Sequence, residues 1–282
     1  MIVVGAVAIY CSISLFLANV GQTNAPAPIR VAHWSGYMVA SDIQNRSAVV
    51  SSVSASWTVP AVKASENDTL SSAWVGIGGY GEKTLIQTGT EHECVDGQVN
   101  YFVWYELIPD YLVRIRNMHI RPGDTITASI SLINENTKTW SIEINDVTRG
   151  ERFEKALFYN SSRLSAEWIV ERPTVNGTIS TLADFGNVTF SECKATIEGK
   201  TGAISNFSYA QLVMYTPQNV QLVTVSPING DGSSFTVNYL RSPNADVQSN
   251  NLNVHSAAVL PSELFAATFS WPVRGKTASK RD

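Results

Sequence analysis

Charged residues are scarce in this 282-residue sequence, at 16% of the chain, against roughly 25% in an average soluble protein. Hydrophobic residues make up 44%, which is enough for a sizeable core and excludes a disordered chain. The 20 Lys and Arg residues and the 24 Asp and Glu residues give a net charge of −4, and the body of the chain has no basic block. A nucleic-acid partner is therefore not expected.

Cysteine and histidine are also scarce. Of the three cysteines, Cys11 lies in the apolar N-terminal segment, and Cys94 and Cys193 could form one disulfide bond in an oxidising compartment. The chain has no Cys-x-x-Cys pair and no Cys/His cluster, so neither a zinc site nor any other metal or cofactor is expected. The four histidines are scattered, and we interpret them as surface or turn residues: His33, His92, His119 and His255.

The N-terminus has no side-chain charge before Arg30, and residues 2–18 are apolar apart from two serines. We expect residues 1–29 to be a signal peptide, or an anchor that attaches the protein to a membrane through residues 2–20. The protein is then secreted and extracellular, or held at the membrane facing outside. Six Asn-x-Ser/Thr sequences suit a glycosylated surface: Asn45, Asn67, Asn160, Asn176, Asn187 and Asn206.

From about Val49 the chain is typical of short strands separated by turns. Apolar and polar residues alternate along 53–59, 126–132 and 140–144. This period of two buries one face of a strand and exposes the other to solvent, which predicts an antiparallel sheet. Turn-forming sequences separate such runs at residues 121–124, 148–150 and 229–232.

Many short strands without a helical period indicate an all-β sandwich or barrel. Their extent fits one large domain of two antiparallel sheets, which we place at residues 30–240. Residues 241–282 are rich in Asn and Ser at first and basic at the end, and we interpret them as a partly disordered C-terminal extension with one added strand. The protein is expected to be a monomer.

Glutamates occur inside two apolar segments. Glu106 lies among aromatic residues in 100–108, and residues 166–171 place Glu167 and Glu171 on one face of a strand. A buried carboxylate costs several kcal/mol unless it is paired or protonated. Either 166–171 is an edge strand whose wet face carries the two glutamates, or crowded carboxyls form an acid–base site.

Seven motifs follow one another between Trp34 and about Tyr239. They are residues 34–37, 56–60, 72–79, 85–89, 101–109, 166–171 and 182–190. In order and spacing this set resembles the glutamic peptidases, or eqolisins, which are secreted acid proteases of filamentous fungi. The resemblance implies a concanavalin-like jelly roll of two curved antiparallel sheets, with polypeptides as substrates.

The resemblance also implies a catalytic pair. The glutamine of its Leu-Ile-Gln-Thr-Gly motif is Gln87, and the last glutamate of its Ala-Glu-Trp-Ile-Val-Glu motif is Glu171. An ionised Glu171 would take a proton from water and return it to the leaving amine, while the Gln87 amide would stabilise the oxyanion without titrating. Such a pair needs no histidine and suits an acid endopeptidase. The surrounding residues expected at the site are Trp74, Gly78, Glu91, Trp104, Glu106 and Glu167.

Two positions depart from the family pattern. Gly78 stands where the family has an aspartate, so a carboxylate near the site is missing, and Ile108 replaces an aromatic residue before Pro109. Two other functions fit such a sandwich. One is glycan binding or hydrolysis, which would pair Glu171 with Glu106 or Glu167 and leave Gln87 without a role. The other is an inactive cell-surface module.

Overall fold

The computed structural model describes residues 27–240 and the strand 268–269. The interpretations of residues 1–29 and 241–282 fall almost wholly outside the described residues, as do Cys11 and His255. Within the part of the chain that is described, no helix is long and apolar enough to cross a membrane.

The described residues form short strands and one 3-10 turn at Ile204–Asn206. The strands are β1 (Ile29–Val31), β2 (Trp34–Ala40), β3 (Val50–Thr58), β4 (Thr69–Gly78), β5 (Leu85–Val95), β6 (Gln98–Ile108), β7 (Val113–Ile115), β8 (Thr125–Asn134), β9 (Thr139–Asp146), β10 (Glu151–Phe158), β11 (Ala166–Glu171), β12 (Thr174–Val175), β13 (Thr178–Ile179), β14 (Thr181–Leu182), β15 (Asn187–Ile197), β16 (Lys200–Ala203), β17 (Ser208–Met214), β18 (Val223–Val225), β19 (Phe235–Tyr239) and β20 (Thr268–Phe269).

Two large sheets contain most of these strands. The front sheet has the order β1-β17-β2-β11-β4-β5-β6-β7, with β14 beside β4, and the back sheet has the order β10-β9-β8-β3-β15-β19-β18, with β16 beside β15. A small third sheet has the order β13-β12-β20. Most neighbours are antiparallel, and the parallel pairs are β1 with β17, β14 with β4 and β12 with β20. The predicted all-β, two-sheet antiparallel sandwich is confirmed.

The core lies between the two sheets, as the period-two pattern requires. In β3 the side chains of Val53, Ala55 and Trp57 are buried, and they share one apolar cluster with Trp168 of the front sheet. The Trp168 indole N–H donates to the Ser54 carbonyl of the back sheet at 2.8 Å. Inward-facing residues of both sheets therefore form one continuous core.

The interpretation of the histidines as surface or turn residues is wrong for His92, which is buried inside β5. His33 is also buried, but it lies in the bend between β1 and β2. His92 points inwards from β5, where its Nε2 lies 2.8 Å from Thr90 Oγ1. The same hydroxyl accepts a hydrogen bond from Trp57 Nε1 at 3.0 Å. Burial lowers the pKa of His92 to about 3 and that of His33 to about 4. His119 is exposed, as predicted.

The suggested disulfide between Cys94 and Cys193 is not formed, since both are buried free cysteines. Cys94 lies near the end of β5 of the front sheet, where its Sγ donates to the Ser65 carbonyl at 3.4 Å. Cys193 lies in β15 of the back sheet, and its Sγ faces the Ser191 carbonyl at 3.9 Å. The two thiols therefore belong to different sheets and have separate partners.

Candidate active site

The face of the front sheet that points away from the core carries the predicted site residues. Four adjacent strands, β11, β4, β5 and β6, form the middle of this face. Because side chains alternate along a strand, the core takes one set, including Val75 and Trp168, and the other set faces outwards. In the order β11, β4, β5, β6 the outward residues lie in three cross-strand rows: Glu171–Ser72–Glu91–Phe102, Ile169–Trp74–Gly89–Trp104 and Glu167–Gly76–Gln87–Glu106.

Two glycines lie against Trp74 at positions where a side chain would not fit. A Cβ at Gly89 would lie 2.3 Å from the Ala73 carbonyl oxygen and 2.6 Å from Trp74 Cβ. A Cβ at Gly76 would lie 2.8 Å from Trp74 Cζ3 and 2.9 Å from Leu85 Cδ1. A side chain at Gly76 would meet the indole, and one at Gly89 would meet the backbone of β4, so the motif glycines at these positions have a packing reason.

Glu171 ends β11 and is fully buried. Its Oε2 accepts a hydrogen bond from Trp74 Nε1 at 2.7 Å, and its Oε1 has no partner within hydrogen-bond distance. Burial raises the pKa of Glu171 to about 8, and hydrogen bonding by the side chains of Trp74 and then Trp34 offsets part of this rise. Trp34 of β2 packs edge-on against Trp74, with ring centroids 5.0 Å apart. The carboxyl thus sits in an aromatic enclosure with one of its oxygens fixed.

Gln87 is fully buried and directly opposite Glu106 of β6. Its Nε2 donates to Glu106 Oε2 at 2.7 Å, which leaves one amide N–H and the unpartnered Oε1 for another group. Burial, and then the charge of Glu171, raise the pKa of Glu106 to about 8, and the hydrogen bond from Gln87 opposes this rise. The effect of the Glu171 charge on this pKa shows that the two carboxyls are close enough to interact electrostatically.

Glu91 lies in the same row as Glu171 and is buried, with both carboxyl oxygens unpartnered. Burial raises its pKa well above the usual range, and the charges of Glu93, Glu171 and Glu106 raise it further. The outer face therefore concentrates several carboxyls that cannot all be ionised together.

Glu167 shares the face but has different surroundings. It is fully buried, and its pKa is raised well above the usual range by burial and, to a smaller extent, by the charge of Glu82, while Ser165 and the charge of Arg46 oppose the rise. Arg46 forms a salt bridge of 3.2 Å with Glu82. The alternative that Glu167 and Glu171 lie on an edge strand is wrong, because β11 pairs with β2 on one side and β4 on the other.

Gly78 ends β4 with a φ of +88°, a conformation that other residues rarely adopt. A Cβ there would lie 2.6 Å from the Thr84 carbonyl oxygen and 2.9 Å from Ser162 Oγ. The absence of a carboxylate at this position is therefore a property of the local backbone, which leaves no room for a side chain.

Two residues of this face were not singled out from the sequence. Ser72 stands between Glu171 and Glu91 in the first row, and Trp34 lies opposite Glu171 on β2. Both residues lie within the motifs at 72–79 and 34–37, so the sequence contained an indication that they matter. Their proximity to Glu171 depends on which strands are neighbours, which the motifs do not state.

Comparisons with known proteins agree with this architecture. The model of the peptidase A4 family matches residues 32–239. Aspergillopepsin-2 of Aspergillus niger is 32% identical over 183 residues, which cover 63% of this chain and 62% of that protein, less than two thirds of its length. Scytalidopepsin B of Scytalidium lignicola is 26% identical over 222 residues, which cover 74% of this chain and 79% of that protein.

Among solved structures, the crystal structure of scytalido-glutamic peptidase with a transition state analog inhibitor has a TM-score of 0.62 at 23% identity. The match covers 74% of this chain and 98% of that one. The fold is thus the β-sandwich of that class of peptidase. Because the family model covers most of the sequence, the chain belongs to the peptidase A4 family. The resemblance to glutamic peptidases is confirmed.

Proposed function

We propose that the protein is a secreted acid endopeptidase in which Glu171 acts as general base and then general acid, and Gln87 stabilises the oxyanion. The observation that carries this proposal is the pairing on one buried face of a carboxyl held by Trp74 with an amide held by Glu106. Membership of the peptidase A4 family supports polypeptides as substrates.

The chemistry starts with a water molecule between the two side chains. Ionised Glu171 takes a proton from the water, and the water oxygen attacks the carbonyl carbon of the scissile peptide bond. The free N–H of Gln87 Nε2 donates to the negative carbonyl oxygen. Glu171 then passes its proton to the leaving nitrogen as the C–N bond breaks, which returns the carboxylate to its starting form.

The pKa of Glu171, raised to about 8 by burial, favours its neutral form in acid. Its role as a base at low pH therefore requires hydrogen bonds that stabilise the anion. Trp74 supplies one such bond, to Oε2. The Trp34 side chain also lowers the pKa of Glu171, and a further donor to Oε1 would stabilise the anion more.

The test is the digestion of a denatured protein between pH 2 and 5 by the wild type and by the variants Glu171→Gln and Gln87→Ala. Loss of an oxyanion donor typically lowers the rate about 10² to 10³-fold, and we expect Gln87→Ala to fall in this range. We expect Glu171→Gln to have no measurable activity. If both variants cut as fast as the wild type, the assignment of the pair is wrong. A wild type that cuts nothing but binds a glycan array would favour the glycan alternative.

We also propose export and glycosylation. All six sequon asparagines are exposed at the surface of the described residues, where a glycan can be attached without disturbing the core. Secretion from a eukaryotic host followed by glycosidase treatment tests this, because glycosylated protein loses mass and unglycosylated protein does not.

A further inference from the structure

The first cross-strand row contains a serine between two glutamates. Ser72 of β4 lies directly opposite Glu171 of β11 on one side and directly opposite Glu91 of β5 on the other. All three residues are buried. Residues directly opposite each other on neighbouring antiparallel strands have Cβ atoms about 4.5–5.5 Å apart. The short serine side chain therefore lies within reach of both carboxyls.

The polar atoms of this row are unpartnered. Ser72 Oγ, Glu171 Oε1 and both carboxyl oxygens of Glu91 are buried without a hydrogen bond. A buried polar atom without a partner costs about 1–3 kcal/mol, so several of them in one row need an explanation. They are complementary, because a hydroxyl donates one hydrogen bond and accepts others, whereas an ionised carboxylate only accepts.

We propose that Ser72 is a positioning residue for Glu171: its hydroxyl donates a hydrogen bond to Glu171 Oε1, and a neutral Glu91 orients that hydroxyl by donating its own proton to Ser72 Oγ. No bond is made or broken in this link, and each proton stays on its donor. The backbone need not move, because a second staggered rotamer of Ser72 or one bridging water spans the remaining gap.

The surroundings of Glu91 keep it neutral and therefore a donor. The titratable groups that act on it are Glu93 of its own strand, Glu106 of β6 and Glu171 of β11, and all three are acidic. The outward residues of β4 next to it are Ser72 and Trp74, which carry no charge. An ionised Glu91 would place a further buried charge beside these acidic groups, whereas a neutral Glu91 can donate a hydrogen bond to Ser72 Oγ.

The consequence concerns the base. With Trp74 Nε1 on Oε2 and Ser72 Oγ on Oε1, each oxygen of Glu171 accepts a hydrogen bond, and the ionised form is stabilised against burial beyond what Trp74 and Trp34 already supply. The inference deepens the proposed function, because it supplies a further donor that lowers the pKa of Glu171 and increases its ionised fraction about tenfold at any acid pH. It rests on that function only for its effect on the rate.

The test follows the indole N–H resonance of Trp74 by NMR as the pH is varied. This proton is donated to Glu171 Oε2, so its chemical shift reports the ionisation of Glu171 without any turnover. Trp74→Phe identifies the resonance, and Glu171→Gln must abolish its titration. We expect Ser72→Ala to raise the titration midpoint by about one pH unit, which is a tenfold weaker ionisation.

The matched control is Ser71→Ala. Ser71 precedes Ser72 and is equally buried, but its hydroxyl points to the core, 3.4 Å from His92 Nδ1. Ser71→Ala removes the same atom from the same strand and should leave the midpoint unchanged. An equal midpoint in Ser72→Ala and wild type, or an equal shift in both serine variants, overturns the proposal.

Glu91 gives a second, independent comparison. Glu91→Gln keeps a neutral donor of the same size, so the midpoint should stay near that of the wild type, whereas Glu91→Leu should raise it as Ser72→Ala does. If Glu91 were ionised, Glu91→Gln would remove a like charge and lower the midpoint, and the proposal would be wrong. Wild type without peptidase activity but with these midpoint shifts would refute the proposed function and leave the role of Ser72 intact.

Discussion

The indole N–H of Trp74 lies 2.7 Å from Glu171 Oε2, and both side chains are buried in the outer face of the front sheet. The two residues are on neighbouring strands but in different cross-strand rows. Gly76 leaves space for the Trp74 indole, and Gly89 leaves space for the Trp74 backbone and Cβ. The position of the proposed base therefore depends on a tryptophan, and that tryptophan depends on two glycines.

The first prediction follows from this hydrogen bond. Trp74→Phe keeps an aromatic ring but removes the donor, so the pKa of Glu171 should rise further above its usual range. A hydrogen bond to a charged group contributes about 1.5–3 kcal/mol, which corresponds to roughly one to two pH units in the acid limb of the kcat profile. The measurement is kcat against pH. Trp57→Phe is the control, since its indole N–H bonds to Thr90 in the core; a similar shift in that variant would contradict the prediction.

The second prediction concerns the orientation of Gln87. Glu106→Leu removes the acceptor of Gln87 Nε2, so the amide is free to turn away, and kcat should fall about 10 to 100-fold. Because the pKa of Glu106 is raised to about 8, its side chain is neutral in acid, and the acid limb of the profile should stay in place. Glu106→Gln retains an acceptor and should lose less activity. A shifted acid limb with an unchanged maximal rate would refute this role.

The third prediction is a maximum of stability in mild acid. Burial raises the pKa of Glu171 and Glu106 from 4.5 to about 8. The stability linked to these groups is fully present below pH 4.5 and is lost as the pH rises through 8, at about 1.4 kcal/mol per group and pH unit. His33 and His92 have pKa values lowered from 6.5 to about 4 and about 3, so the stability linked to them is present above pH 6.5 and is lost as the pH falls through those values.

Between pH 4.5 and 6.5 the two effects have opposite signs, because a rising pH lowers the stability linked to the carboxyls and raises that linked to the histidines. Above pH 6.5 only the loss from the carboxyls remains. The melting temperature should therefore fall steeply from pH 6.5 to 8 and only modestly below pH 4.5. Scanning calorimetry across pH 3–9 measures it. Glu106→Gln should flatten the alkaline limb, and a wild type equally stable at pH 5 and pH 8 would disprove the account.

The fourth prediction is that Gly78 cannot be replaced. Gly78→Ala combines an unfavourable positive φ with a Cβ that would lie 2.6 Å from the Thr84 carbonyl oxygen, so the free energy of unfolding should fall by more than the roughly 1–3 kcal/mol of backbone strain alone. Gly97→Ala is the matched control: its φ is +72°, and its Cβ would meet nothing within 4 Å. Urea denaturation gives the free energy of unfolding of the two variants. The loss in Gly97→Ala measures the backbone strain, and the additional loss in Gly78→Ala measures the steric contact. Equal losses would show that the contact at Gly78 has no cost.

The faces of the strands were predictable from the sequence because side-chain alternation is a local property. Residues 166–171 placed Glu167 and Glu171 opposite to Trp168, and the structure confirms this arrangement with Trp168 in the core. The apolar surroundings of Glu106 were equally visible in its own segment. In each case a few consecutive residues contain all the information that is needed.

What could not be predicted depends on which strands are neighbours. Nothing local places Ser72 between Glu91 and Glu171, because that arrangement arises from β4 pairing with both β5 and β11. His92 appeared isolated in the sequence, yet its partners include Thr90 of its own strand and, through that hydroxyl, Trp57 of the opposite sheet. Long-range pairing also decides that Cys94 and Cys193 belong to different sheets.

The central place of β11 in the front sheet has a consequence for inactivation. β11 is hydrogen-bonded to β2 on one side and to β4 on the other, so Glu171 cannot leave the site by fraying of an edge. The backbone amide protons of β11 should exchange with solvent only when the whole domain unfolds, and so at the slowest rates in the molecule. Heat should then abolish activity in the same cooperative transition that melts the sandwich, with no earlier step in which the folded protein is already inactive.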